Sequence, residues 1–177
     1  MFERKRIIPL ALLILALLQL AAAAKDDRKT TFRPPKDWKW NIEYQQVVDA
    51  PGVKTAELFK RGKEWCARNF ALVQDYVLID DGAAGIFKCK GMLKSKRRSE
   101  EETVNFIMTL EVIDGRARVT CSAFRLPSAG KGGSEIPLEE LLDKDGFPKD
   151  NAAEKFFIRV DERVKKLLES AKDELVR

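Results

Sequence analysis

Residues 109–124 read TLEVIDGRARVTCSAF and carry the strongest local signal in the chain. Apolar side chains alternate with polar or small ones from Val104 to Val112, and again from Val119 through Cys121 to Ala123. This period of two is typical of a strand with one buried face. The Asp114-Gly115 pair between the runs favours a two-residue hairpin turn, in which both central residues take positive φ. The stretch therefore predicts two antiparallel strands within a sheet.

Three further strands and a helix are predicted before this hairpin. Alternating or β-branched side chains place the strands at 42–48, 74–80 and 86–93. Residues 54–70 have their large apolar side chains on one helical stripe and their charges on the other side. The segment 94–102, KSKRRSEEE, contains no apolar residue and is predicted to be a connecting loop.

A long amphipathic helix is predicted to end the chain. Asn151 and Glu154 resemble a capping box at its start. Apolar residues then recur at helical spacing: Phe157, Val160, Val164, Leu168, Ala171 and Leu175. The element order β-α-β-β-β-β-α predicts an α+β fold, in which two helices cover one face of an antiparallel sheet.

The amino-terminal residues have the pattern of a targeting segment. Arg4, Lys5 and Arg6 precede an apolar run from Ile7 to Leu20, and small residues end at Ala24. This pattern predicts a signal peptide over 1–24 and export to the periplasm or beyond. The alternatives are an uncleaved membrane anchor and a buried core helix. An uncleaved anchor is the only membrane contact that we expect. An exposed arm is expected at 25–40, followed by a single α+β domain at 41–177.

The segment from Val47 to Leu93 resembles a family of small secreted bacterial domains of unknown function. In that family a strand, a Pro-Gly turn, a helix with a central Trp, an Asp-Asp turn and a Gly-containing strand follow one another. The matching residues are Pro51, Gly52, Leu58, Trp65, Asn69, Phe70, Asp80, Asp81, Gly85, Ile86 and Gly91. Residues 109–124 are similar to the family's closing hairpin. The resemblance implies a TATA-binding-protein-like (TBP-like) fold and no established activity.

The chain contains no histidine. This excludes Ser-His-Asp and Cys-His catalysis and any imidazole metal site. Since no other catalytic, cofactor-binding or metal-binding constellation is recognisable, we expect a non-enzymatic binding or accessory module of the cell envelope with no cofactor. Its partner is expected to be a protein or another envelope ligand, and not a nucleic acid. The alternatives are a hydrolase based on two carboxylates and, by fold analogy alone, a nucleic-acid-binding module.

Three cysteines, Cys66, Cys89 and Cys121, lie on predicted apolar faces. Two interpretations stay open from the sequence, namely buried core thiols and a disulfide between Cys89 and Cys121 within the sheet. A nucleophilic role is disfavoured because no histidine can activate a thiol. No C-x-x-C pair suggests a zinc site.

Two tryptophans provide the candidate binding residues. Trp38 and Trp40 stand at the end of the polar arm and could form an exposed aromatic pair for a partner protein or a glycan. The competing interpretation is that at least one of them packs on the sheet edge and secures the arm. Asp80-Asp81 and the glycine-rich stretches at 82–85 and 130–133 are interpreted as turns and loops.

Overall fold

The computed structural model describes residues 31–70, 76–97, 100–127 and 134–177. The predicted signal peptide over 1–24 and the start of the arm, 25–30, lie outside these residues. No helix among the described residues has the length and apolar content needed to cross a bilayer. The elements follow in the order β1 (Tyr44–Asp49), α1 (Thr55–Asn69), β2 (Val77–Asp81), β3 (Ile86–Arg97), β4 (Glu100–Ile113), β5 (Arg116–Leu126), β6 (Ile136–Pro137), a 3-10 helix (Leu138–Leu141) and α2 (Asn151–Val176).

The strands form one antiparallel sheet in the order β1-β5-β4-β3-β2, and β6 pairs with the far end of β5. Alternate side chains of β4, such as Phe106, Met108 and Leu110, are buried. The helices α1 and α2 contact the sheet and each other on this side. The predicted α+β fold, a sheet covered by two helices, is confirmed, and the short β6 is an addition to the predicted order.

The helix α2 lies across β1, β3 and β5 with its predicted apolar stripe buried. Its N-cap is Asp150, whose carboxylate accepts a hydrogen bond from the backbone N–H of Ala153 at 2.7 Å. The predicted capping box starting at Asn151 is therefore wrong by one residue. Glu154 instead accepts a hydrogen bond from the backbone N–H of Thr31 at 3.2 Å, which joins the arm to the helix.

The predicted loop at 94–102 is wrong, because β3 and β4 continue through most of this segment. Lys96 lies opposite Glu101 and Arg97 opposite Glu100. Opposite charges on facing strands attract each other and compensate for the lack of apolar side chains. Lys94 and Glu101 form an ion pair of 2.9 Å, and Arg97 and Glu102 one of 2.8 Å.

A β-bulge interrupts β5 at Ala123. The register pairs Ile107 with Ser122 but Asn105 with Arg125, so that β5 carries one extra residue. Ala123 has a φ of 54° and its side chain is exposed, contrary to the predicted alternation. The extra residue reverses the alternation beyond it and turns Phe124 into the core, where its ring stacks on Phe106 at 5.5 Å.

The two-residue turn at Asp114-Gly115 is confirmed, since Ile113 pairs with Arg116. Only Gly115 takes a positive φ, at 74°. Outside glycine, the described residues with positive φ are Trp40 and Ala123, so the expectation for Asp114 is wrong. Its carboxylate accepts hydrogen bonds from Thr55, at the start of α1.

The described part of the arm contacts the domain. Pro34 is buried and Phe32 packs against the core. The backbone N–H of Glu43 donates to the carbonyl of Pro35 at 3.1 Å, and Lys36 forms a β-bridge with Ile42. The expected exposure of the arm therefore does not hold for Phe32 and Pro34. These contacts position the loop that follows.

Candidate functional site

The Trp loop, residues 37–41, is held by the side chain of Asp37. One carboxylate oxygen accepts hydrogen bonds from the backbone N–H groups of Lys39 and Asn41, at 2.8 and 2.9 Å. The other accepts from the side-chain amide of Asn41 at 2.9 Å. These bonds, that of the Asn41 side chain foremost, lower the pKa of Asp37. The loop is therefore a defined turn that keeps its carboxylate ionised.

Both tryptophans of the Trp loop project into solvent. Trp38 is 84% exposed and Trp40 is 66% exposed. The interpretation that at least one of them packs on the sheet edge is therefore wrong. The ammonium of Lys39 lies 4.8 Å from the Trp38 ring centre, and that of Lys36 lies 5.1 Å from the Trp40 ring centre. Both distances fall within the range of a cation–π contact.

Two contacts fix the Trp loop to the body of the domain. The backbone N–H of Ile42, directly after the loop, donates to the Glu139 carboxylate at 2.7 Å. Before the loop in the chain, the Arg33 guanidinium lies 3.9 Å above the ring of Phe147. Trp40 also holds a φ of 69°, an unusual conformation for a bulky residue. Trp40 therefore combines an unfavourable backbone conformation with an exposed indole.

The open face of the sheet, opposite the helices, is the second surface that could contact a partner. Two of its arginines are paired: Arg116 with Asp49 at 2.8 Å and Arg118 with Glu111 at 2.7 Å. The Glu111 carboxylate raises the pKa of Arg118. Ile113 is 64% exposed beside these pairs. The face therefore has mixed charge and no continuous positive surface at these two arginines.

The three cysteines are free and buried. Cys89 and Cys121 both lie opposite Met108, on either side of it, so that β4 separates them. Two strand spacings amount to about 10 Å, beyond the Cα separation of about 7 Å that a disulfide can bridge. The possible Cys89–Cys121 disulfide is therefore excluded by the register.

Cys66, on α1, is a neighbour of Cys89, and the interaction between the two thiols shifts the pKa of both. Burial raises the pKa of the Cys66 thiol and of the Cys121 thiol. The hydrogen bond from Cys66 lowers the pKa of Cys89. The three thiols pack as small apolar groups within the core.

The adjacent acids Asp80 and Asp81 point to different partners. Asp80 forms an ion pair with Lys63, and Asp81 accepts a hydrogen bond from the backbone N–H of Ala84 at 2.9 Å. Among the described residues, no group of three or more acidic, cysteine or histidine side chains could hold a metal ion. Both residues belong to the end of β2, so the turn interpretation is wrong for this pair, and the turn itself lies at 82–85.

Sequence reasoning missed one concave surface, which lies between α2 and the stem of the β3–β4 hairpin. Arg159, Arg163 and Lys166 line it from the helix, at a spacing that places them on one face. This spacing was visible in the sequence. The wrongly predicted loop at 94–102 concealed the other wall, since that wall is formed by β3 and β4.

The sheet, its strand order and the two covering helices define an α+β protein of TBP-like fold. A TBP-like protein from Parabacteroides distasonis has a solved structure with a TM-score of 0.59 and 12% identity, covering 79% of this chain and 97% of its own. A DUF4468 family protein from Bacteroides ovatus gives a TM-score of 0.58 and 15% identity, with 78% and 90% coverage. At these identities the likeness concerns the fold alone.

Residues 44–126 match the family described as a domain of unknown function (DUF4468) with TBP-like fold. The family resemblance seen in the sequence is thereby confirmed. The matched segment begins with β1 and ends with β5, so that the Trp loop and α2 lie outside it. No curated protein matches the chain.

Proposed function

We propose that this protein is an exported, non-enzymatic module that binds a partner protein of the cell envelope through the Trp loop. One observation carries the binding role: two exposed tryptophans are held on a hydrogen-bonded turn. The targeting pattern over residues 1–24 supports export. The lack of histidine supports a role other than acid–base catalysis.

The energetics of the two indoles favour a contact surface. Exposed apolar area is unfavourable at about 25 cal/mol for each Å², so that covering these rings stabilises a complex. Because Asp37 already orders the loop, little conformational entropy is lost on binding. Tryptophan is also enriched among the residues that dominate protein–protein affinity.

The two alternative functions have less support from the described residues. Nucleic-acid binding through the open sheet face needs cations there that are free to contact phosphates, whereas Arg116 and Arg118 on this face are paired with carboxylates. A two-carboxylate hydrolase needs acids that face a common cleft. Asp80 and Asp81 have different partners, a lysine side chain and a backbone N–H.

A site-specific photocrosslinking experiment tests the binding surface. A benzoylphenylalanine is placed at position 38 in one variant and at position 113 in a control, since Ile113 is 64% exposed on the open face of the sheet. Irradiation of intact cells is expected to give one discrete protein adduct from position 38. Trp40→Ala should reduce the yield of this adduct. An excess of unmodified protein should also reduce it, because both proteins compete for the same partner. The same adducts from both positions, or none from position 38, would overturn the binding proposal.

Export is tested separately with a fusion of the full chain to a reporter that is active only outside the cytoplasm. We expect activity from the full chain and loss of activity when the apolar run at 7–20 is interrupted by charged residues. A second fusion carries a reporter that is active only in the cytoplasm. Activity of this second fusion alone would contradict export.

A further inference from the structure

A cationic groove runs between α2 and the stem of the β3–β4 hairpin. We define it by Ser95 and Lys96 on β3 together with Arg159, Arg163 and Lys166 on α2. Its volume is about 520 Å³. Arg163 and Lys166 also line an adjoining cavity of about 460 Å³, whose apolar lining residues include Phe70, Leu93 and Leu167. A charged compartment and a more apolar one therefore meet at these two cations.

The positive charge of the cationic groove is only partly neutralised. Two carboxylates, Glu101 and Glu162, line it beside the four cationic side chains. Glu101 is paired with Lys94 at 2.9 Å, which lowers its pKa, and the charges of Lys96 and Arg163 add a weaker attraction. Within the part of the chain that the structure describes, neither Arg163 nor Lys166 forms an ion pair. Two cations are thus available to a ligand.

Arg159 has a different role in the cationic groove. Its guanidinium donates a hydrogen bond to the backbone carbonyl of Lys96 at 2.8 Å. This contact joins the helix to β3 at the place where the hairpin stem forms the opposite wall. The spacing between the two walls is therefore set by the protein itself, and a ligand meets a preformed groove.

Ser95 is the second, independent observation at this site. Ser95 is among the residues that line the cationic groove, it is 1% exposed, and its hydroxyl has no hydrogen-bond partner among the described residues. A buried polar group without a partner is unfavourable, and most such groups in proteins are satisfied. A hydroxyl can donate to an oxyanion, as the guanidinium and ammonium groups nearby also do.

We propose that the cationic groove binds an amphiphilic phosphate ester, with the phosphate between Ser95, Arg163 and Lys166 and the apolar part in the adjoining cavity. Guanidinium and ammonium groups are the usual partners of phosphate, and the Ser95 hydroxyl supplies a neutral donor. Phe70, Leu93 and Leu167 then contact the apolar part of the ligand. The inference does not depend on the Trp loop or on export.

Calorimetric titration of the purified chain tests this proposal with soluble probes. Dihexanoyl phosphatidic acid carries both features of the ligand, inorganic phosphate carries only the charge, and dihexanoyl phosphatidylcholine is the zwitterionic control. We expect binding of the phosphatidic acid, weaker binding of inorganic phosphate, and loss of both at high salt. Failure of both phosphate probes to bind would overturn the proposal.

Variants assign the binding to the cationic groove. Loss of both free cations in Arg163→Gln/Lys166→Gln is expected to weaken binding by more than about tenfold, and Ser95→Ala by several-fold. Lys172→Gln is a control for loss of charge on the same helix, because Lys172 lies outside both cavities. Equal affinity in the groove variants and this control would overturn the assignment.

Further controls show whether a loss of binding results from misfolding and whether the ligand is a membrane lipid or a free ester. Arg163→Lys/Lys166→Arg keeps both charges and should retain most of the affinity, and circular dichroism checks that each variant is folded. Vesicles of phosphatidylcholine containing phosphatidic acid distinguish a membrane lipid from a free ester. Vesicle binding that depends on Ser95 supports a lipid source, whereas vesicle binding that is insensitive to Ser95→Ala contradicts the proposed site.

Discussion

The carboxylate of Asp114, in the turn between β4 and β5, caps the amino end of α1 at Thr55. One oxygen accepts hydrogen bonds from the backbone N–H of Thr55 at 2.8 Å and from its hydroxyl at 2.9 Å. The residue before the helix, Lys54, provides no side-chain cap, and its ammonium lies 3.2 Å from the other oxygen. A negative charge at the amino end of a helix is favourable. The hairpin turn and the helix therefore stabilise each other.

The cap predicts a pH-dependent contribution to stability. The hydrogen bonds from Thr55, first its backbone N–H, lower the pKa of Asp114 from 3.8 to about 2. A group with a lowered folded-state pKa stabilises the protein above its unfolded-state value. The contribution is therefore fully present above about pH 4 and is lost as the pH falls towards 2. Asp114→Asn, which keeps an acceptor but no charge, should lower the free energy of unfolding at pH 5.

Urea unfolding of the wild type and Asp114→Asn at pH 5 and near pH 2 checks this prediction. The difference between the two proteins should shrink at the lower pH, because the wild-type carboxyl becomes neutral there. Asp145→Asn serves as a control, since Asp145 is exposed in a different loop. A difference that stays constant between the two pH values would contradict the proposed cap.

Gly85 is predicted to tolerate substitution less well than Gly52. Both have positive φ, 68° and 85°. A side chain at Gly52 would meet nothing within 4 Å, whereas one at Gly85 would overlap the backbone carbonyl of Val112. Gly52→Ala should therefore lower stability only by the cost of placing a side chain on a left-handed backbone conformation, about 1–2 kcal/mol. Gly85→Ala should lower the free energy of unfolding by more than Gly52→Ala does. Equal losses for the two variants in denaturant unfolding would contradict the close packing of Gly85 against Val112.

Trp65 and Trp38 are predicted to differ sharply in their effect on stability. Trp65 is buried, and its indole N–H donates to the hydroxyl of Ser170 at 3.1 Å. Trp65→Ala should lower the free energy of unfolding by about 3–5 kcal/mol. The same change at the exposed Trp38 should alter it by less than about 0.5 kcal/mol. A large loss for Trp38→Ala would indicate that the Trp loop has a structural role.

The cysteines are predicted to react with a thiol reagent only after unfolding. All three are buried, which keeps the reagent away from the native thiols, and burial also raises the pKa of Cys66 and Cys121, so that these two carry little reactive thiolate. Purified protein that has not been reduced should show slow reaction when native and three thiols in denaturant. A single reactive thiol in denaturant would indicate a disulfide, for which the neighbouring Cys66 and Cys89 are the candidates.

Much of the fold could be predicted from the sequence because the signals are local. The alternation in β4 and the stripe of α2 both identified buried side chains correctly, since each depends only on the period of one element. The bulge at Ala123 was missed because it depends on the register with β4. The stem at 94–102 was missed because its charges are stabilised by the facing strand.

The candidate site was predictable only in part. Trp38 and Trp40 were identified as candidates, but their exposure depends on how the arm packs against Glu139 and Phe147, which lie about a hundred residues away. The cationic groove could not be predicted, because Ser95 and Arg163 meet only when α2 lies across β3. Residue type alone could not show that the Ser95 hydroxyl is buried without a partner.

The sequence by itself determined the elements, the faces that they bury, the family resemblance and the lack of imidazole chemistry. These properties follow from residue type and from short periods along one segment. The tertiary structure alone decided the cap of α1 by Asp114, the separation of Cys89 from Cys121, and the meeting of Ser95 with the cations of α2. Each of these is a relationship between residues far apart in the chain, whose distance is set only when the sheet has its register and the helices have packed on it.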